Sequence, residues 1–255
     1  MTAQGSPIWT DLGTTDLDAS RAFYRDLFGW DYTSTGPEFG DYQMIHDGQV
    51  GGMALNMGMD GELDPSMPVW WTVYLAVDDL DAILPAVTEH GGTVHVPPMD
   101  VGSMGRMAIV AAPSGAAFGL WQAKDFGGFD TSGAPGRTTW FESLTREYDA
   151  DAAFYRSVLG WDNAPMGDEG EGAEMRYLTD RAGQAATAGL CEATAWLAED
   201  VPSFWRVYFR VEDTDETVAT VQRLGGALLD GPVDSPFGRV ATVADNLGGQ
   251  FQVIA

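Results

Sequence analysis

The feature that most constrains this chain is that it is written twice. Trp9-Thr10-Asp11-Leu12 leads into a helical run carrying Ala22-Phe23-Tyr24-Arg25 and ending Phe28-Gly29-Trp30-Asp31. Trp140-Phe141-Glu142-Ser143, Ala153-Phe154-Tyr155-Arg156 and Leu159-Gly160-Trp161-Asp162 follow in the same order and at the same offset. Later, Val73-Tyr74-Leu75-Ala76-Val77-Asp78-Asp79 is answered by Val207-Tyr208-Phe209-Arg210-Val211-Glu212-Asp213, Gly91-Gly92 by Gly225-Gly226, and Gly105-Arg106 by Gly238-Arg239. Self-similarity on this scale marks a duplicated structural unit. Residues 123–137 (AKDFGGFDTSGAPGR) carry linker composition and no hydrophobic period. The expected organisation is a first domain over residues 1–125, a linker over 126–137 and a second domain over 138–255.

Within each copy the order of elements follows from pattern. Residues 8–13 read as a strand; Asp16 and Asp18 are placed to cap a helix whose apolar face is Ala22, Phe23, Leu27 and Phe28, and Gly29 stops it. Residues 42–45 and 51–56 read as strands around the turn Asp47-Gly48. Residues 72–77 form another strand, 80–90 a helix closed by Gly91-Gly92, and 107–111 and 117–121 two further strands. That is βαβββ twice per half. The class is α+β, with an antiparallel-type sheet curled around a cleft and the helices outside.

Composition excludes several functions. There are 38 acidic residues against 13 basic ones, a formal net charge of -25, and Lys124 is the single lysine. Phosphate backbones and anionic membranes need clustered Lys and Arg, so neither nucleic acid nor membrane is expected as a partner. The charge reads as a device of solubility or of adaptation to a salty cytoplasm, against the alternative of attracting a cationic ligand. One cysteine, Cys191, makes no internal disulfide and reads as a small core residue. The start MTAQGSPIWT has no basic region followed by an apolar run, and no stretch reaches the roughly 18 apolar residues of a membrane span. A soluble, cytoplasmic protein is the expectation.

The opening strand, the Asp-Leu-Asp cap, the Ala-Phe-Tyr-Arg helix and its Phe-Gly-Trp end resemble the vicinal oxygen chelate superfamily, which includes glyoxalase I, extradiol dioxygenases, fosfomycin-resistance enzymes and bleomycin-binding proteins. Gly105-Arg106-Met107-Ala108, Pro113-Ser114-Gly115-Ala116 and Phe118-Gly119-Leu120-Trp121-Gln122 are similar to that family's strand-turn-strand ending. The resemblance implies two tandem glyoxalase-like domains, whose four βαβββ modules form two curled mixed sheets with helices outside. In the family, His, Glu or Gln ligands hold one divalent metal on the concave sheet face. The corresponding places here carry Trp9, Thr72 and Gly119 in the first half and Trp140, Arg206 and Gln252 in the second, and the fourth place, near residues 52–55, has no acid or histidine. Only Gln252 is a metal-ligating type. His46, His90 and His95 lack a second His or carboxylate at i+2 or i+4, and His90 is placed to meet the end of its own helix. Neither a metal nor another cofactor is expected.

Side chains alternate along a strand, so residues two apart from a lost ligand place face the same way. Trp9 with Asp11, Thr72 with Tyr74, Gly119 with Trp121, Trp140 with Glu142, Arg206 with Tyr208 and Gln252 with Ile254 then line the clefts, joined by Trp70 and, on the floor, Met53 or Leu55. Such aromatic surfaces with a few polar handles suit a hydrophobic or aromatic small molecule. Trp9 and Trp140 read as pocket residues, Trp30 and Trp161 as core, and Arg106 and Arg239 as structural. For Arg206 two readings stay open, a clamp on a ligand anion and an ion pair with Glu142 or another local acid. The expected function is metal-free binding of a small organic molecule, for resistance or sequestration. The alternative is a hydroxylase-like or lactoylglutathione-lyase-like enzyme, an oxidoreductase or lyase, using Asp11 and Glu142 as acid–base groups. A third reading is an interaction protein with filled clefts. No Ser-His-Asp or Cys-His arrangement and no phosphate loop is present. Since two copies in one chain supply the pairing that single-copy relatives reach by dimerising, a monomer or weak homodimer is expected.

Overall fold

The computed structural model describes residues 2–58, 60–129, 133–166 and 176–255. The first module is β1 (Pro7–Thr14), α1 (Leu17–Phe28), β2 (Tyr32–Ser34), β3 (Gln43–Ile45) and β4 (Gly51–Leu55). The second is β5 (Trp70–Ala76), α2 (Leu80–Glu89), β6 (Thr93–Val101), β7 (Gly105–Ala111) and β8 (Ala117–Ala123). The third is β9 (Thr138–Thr145), α3 (Tyr148–Leu159), β10 (Ala164–Pro165), β11 (Tyr177–Thr179) and β12 (Ala188–Glu192). The fourth is β13 (Phe204–Arg210), α4 (Thr214–Arg223), β14 (Ala227–Ser235), β15 (Gly238–Ala244) and β16 (Gln250–Ile254). The expected βαβββ unit therefore occurs four times.

Helix starts and stops are set locally. Asp16 Oδ1 accepts from the Ala19 N–H at 3.0 Å, and Asp79 and Asp213 cap α2 and α4 in the same way. Gly29 and Gly160 end α1 and α3 at φ 73° and 72°, a left-handed backbone that a residue without Cβ adopts at no steric cost.

The strands form two eight-stranded sheets, in the orders β2-β3-β4-β1-β5-β8-β7-β6 and β10-β11-β12-β9-β13-β16-β15-β14. The sheets are mixed rather than of antiparallel type throughout. β1 with β4, β5 with β8, β9 with β12 and β13 with β16 are parallel, because each module's helix carries the chain over before the closing strand returns beside the first.

Compactness follows a different partition from the repeat. One unit comprises Met1–Trp9, Val73–Gly128 and Phe141–Arg206, which are chiefly the second and third modules. The other comprises Thr10–Thr72, Phe129–Trp140 and Val207–Ala255, chiefly the first and fourth. In the latter, the buried Tyr24 hydroxyl donates to Asp245 (2.9 Å) and accepts from Trp71 Nε1 (3.2 Å). Trp30 stacks on the Tyr24 ring at 5.2 Å and donates to the Gly136 carbonyl at 2.9 Å. The former repeats the arrangement with Tyr155, Trp205 Nε1 at 3.0 Å, and Trp161 stacked at 4.7 Å and donating to Gly5 at 2.9 Å. Trp30 and Trp161 are thus core, as expected. Phe154 fills the space that a Cβ on Gly92 would need, and Phe23 stands likewise against Gly226.

Candidate functional site

Register decides which face each candidate side chain occupies. Leu12 and Met53 are level in the β1–β4 pair and both fully buried, whereas the neighbouring level pair, Asp11 and Gly52, faces the other way. Met53 is therefore in the core beneath α1 and not beside Asp11. Trp71 and Trp205 point to the helix tyrosines, so by alternation Trp70, Thr72 and Tyr74, and Arg206 and Tyr208, lie on the face away from the helices. Phe251 packs on Tyr24, which puts Gln252 on that same opposite face.

In the unit of first and fourth modules, the Tyr42 hydroxyl donates to Asp11 Oδ2 at 3.1 Å. The phenol lies directly over Gly52, where a Cβ would stand 1.8 Å from its oxygen. Trp70, 36% exposed, donates from Nε1 to Thr72 Oγ1 at 3.1 Å. Gln252 is buried, its side-chain amide bonded to Thr242 Oγ1 at 2.9 Å, and level with the buried Tyr208.

In the other unit, Trp9 meets Phe126 edge to face at 4.9 Å, and Trp121 donates from Nε1 to the Phe126 carbonyl at 3.3 Å. Both tryptophans are buried. Tyr74 covers Gly119, and the Tyr177 hydroxyl covers Gly189. Glu142 is buried and paired with Arg206, whose Nε donates to Oε2 at 2.6 Å, with a second contact from Nη2. The guanidinium also stands 5.9 Å from the Trp196 ring. Trp140, which belongs to the unit of first and fourth modules, is half-buried. Cys191 is 2% exposed and its thiol is pushed up to about 12, first by burial and then by the Glu142 charge, which leaves it protonated near neutrality.

These residues do not fit the family's divalent metal. The ligand places hold two tryptophans, Thr72, a glycine under the Tyr74 ring, an arginine paired with Glu142, and Gln252 bonded to Thr242. Among the described residues, no group of three or more His, Cys, Asp or Glu side chains is arranged to hold an ion. Arg106 and Arg239 pair with Asp81 and Asp215 as structural residues. His90 Nδ1 contacts the Ala86 carbonyl at 2.9 Å.

Sequence reasoning missed Tyr42 and Tyr177. They are repeat mates, since Met44 is level with Gly52 in one half and Thr179 with Gly189 in the other, two residues on from each tyrosine. The available signal was a tyrosine at or just before the start of the short third strand of both odd modules together with a glycine in the fourth.

Residues 7–120 match the family model described as Glyoxalase/Bleomycin resistance protein/Dioxygenase superfamily, and residues 140–254 match that of the Glyoxalase-like domain. The chain is 37% identical over 260 residues to the Mycobacterium tuberculosis protein named "Putative glyoxylase CFP32", covering 98% of this chain and 95% of that one. It is also 37% identical over 263 residues to the anthracycline biosynthesis protein DauV of Streptomyces sp. (strain C5), covering 99% and 94%. In fold it is similar to the Mn(II)-bound glyoxalase from Novosphingobium aromaticivorans, with a TM-score of 0.63 at 15% identity over 99% of this chain and 83% of that one.

Proposed function

The chain belongs to the glyoxalase/bleomycin resistance protein/dioxygenase superfamily, and from that premise we propose that it binds a hydrophobic, planar aromatic small molecule through side chains rather than through a family-type metal. The observation that carries this reading is the placement of tyrosine phenols over glycines at Gly52, Gly119 and Gly189, each on the face of its own sheet away from the helices, where Gly52 is level with Asp11 and Gly189 with Glu142. A phenol with a fixed hydrogen bond offers a ring to stack on and one polar group to orient a ligand, which is the usual make-up of an organic small-molecule site. Relatives named as anthracycline biosynthesis proteins support the ligand class, since anthracyclines are built on planar fused rings.

Calorimetric titration of chelator-treated protein with a panel of anthraquinones and anthracyclines tests the reading. Micromolar binding unaffected by the chelator is expected; no affinity better than millimolar across the panel overturns it.

A second reading, an enzyme using Asp11 and Glu142 as acid–base groups, draws on the Tyr42–Asp11 hydrogen bond, which joins two ionisable groups. The Glu142–Arg206 pair argues against Glu142 as a base, because the guanidinium already engages Oε2 through both Nε and Nη2. Turnover of methylglyoxal with a thiol, lost in Asp11→Asn, would favour this second reading.

A further inference from the structure

The segment joining β12 to β13 is held by one guanidinium. Arg146 Nη2 donates to the carbonyls of Leu197 (3.0 Å), Ala198 (2.5 Å) and Val201 (3.2 Å), and its Nε to Val201 (3.2 Å). Its backbone N–H donates to Ser203 Oγ at 3.0 Å and its carbonyl accepts from Thr194 Oγ1 at 3.3 Å. Both ends and the middle of residues 194–203 are thereby tied to one residue. Charge-assisted bonds to several carbonyls order a loop that has no sheet or helix ladder of its own.

That ordered loop presents Trp196 49% exposed, beside the guanidinium of Arg206. Arg206 is in turn oriented by the buried Glu142. The first half is built differently, with Thr15 at the place of Arg146 and Thr72 at the place of Arg206.

We propose that Trp196 is the ring-stacking contact of a ligand site in the second half, with Arg206 donating at the ring's edge and Arg146 as the positioning residue that fixes the loop. The inference rests on the binding reading above and narrows it to a planar polycycle bearing an acidic oxygen, a carboxylate or phenolate. An indole face supplies stacking area, and a guanidinium oriented by Glu142 supplies directed donors without a large net positive charge. A polyanion is disfavoured by a chain whose formal net charge is -25.

The test is calorimetric titration of the full chain with anthraquinone-2-carboxylate and with its neutral 2-hydroxymethyl analogue. Fluorine NMR of 5-fluorotryptophan-labelled protein accompanies it, the Trp196 resonance being assigned by its loss in Trp196→Phe. The carboxylate is expected to bind tighter than the neutral analogue and to shift the Trp196 resonance. Trp196→Ala is expected to weaken binding by roughly tenfold and Trp196→Phe by only about threefold, with unchanged thermal midpoints. Arg146→Ala is expected to weaken binding severalfold. If wild type and Trp196→Ala bind equally and the resonance does not move, this inference falls while the binding reading stands. If the wild type binds neither compound, the inference falls, and binding elsewhere in the wider panel decides the broader reading.

Discussion

Asp151 offers a quantitative check on how the helices are held. It lies in the first turn of α3 with no exposed surface; Oδ1 accepts from the Ser114 N–H at 3.0 Å, and Oδ2 has no partner among the described residues. Burial raises its carboxyl pKa, opposed in part by hydrogen bonding from Ser114 and Thr145. An acid whose pKa is raised in the fold keeps its proton where the unfolded chain has lost it. The site's contribution is therefore whole below the ordinary carboxylate pKa of about 3.9 and declines as pH rises through the folded value. Asp151→Asn keeps the shape and the acceptor for Ser114 but carries no charge. The amide still leaves a polar group without a partner where Oδ2 stands, so the gain comes only from removing the buried charge, and the variant is expected to be more stable by about 1 kcal/mol at pH 8. At roughly 2–4 °C per kcal/mol for a chain of this size, its midpoint rises by about 2–4 °C. At about pH 3.5, below the ordinary carboxylate value, the wild-type carboxyl is protonated and most of the gain disappears. The repeat mate supports this, because Ser20 occupies the same place in α1 as a neutral group bonded to Thr14 Oγ1 at 2.7 Å. Differential scanning calorimetry at both pH values measures the difference. A variant less stable than wild type at pH 8, or an equal gain at both, would refute the reasoning.

Three further outcomes follow from the same geometry. A Cβ on Gly92 would stand 2.7 Å from both the Ala111 carbonyl oxygen and the Phe154 ring, so Gly92→Ala is expected to lose about 1–3 kcal/mol in a urea titration; an unchanged midpoint would show that the backbone yields. Gly52→Ala displaces the Tyr42 hydroxyl from Asp11, and is expected to lower affinity for any ligand using that pair by roughly tenfold with little change in thermal midpoint, since only the end of a side chain has to move. Cys191, buried and with its thiol raised to about 12, should resist iodoacetamide at pH 8 in the folded protein and react fully in denaturant, and rapid native labelling would contradict its placement.

Much of the fold was legible because its determinants are local. Asp16 and Gly29 bound α1 through atoms within a few residues of themselves, and hydrophobic period 2 or 3.6 told strand from helix. Core tryptophans, the buried cysteine and the place of His90 followed from the same neighbourhood reasoning. The site was less legible. Alternation assigned Asp11, Arg206 and Gln252 to the face away from the helices, but Met53 required the β1–β4 register, because one residue of slip exchanges the two faces.

By itself, then, the sequence determined that one βαβββ unit is used four times, since repeated caps, turns and periods act wherever they recur. Which modules make a compact unit was decided only in three dimensions. Phe154 needs the missing Cβ of Gly92, and Phe23 that of Gly226, and each pair joins different halves of the chain. The buried acids show the same dependence, one on helix α3 as Asp151 and the other on the β15–β16 turn as Asp245, each hydrogen-bonded across a helix–turn contact. Tertiary structure likewise supplied the partner that orients Arg206, by bringing Glu142, 64 residues away, into contact with it. Such pairings depend on register and long-range packing, where the duplicated motifs are identical in form and so carry no instruction about partners.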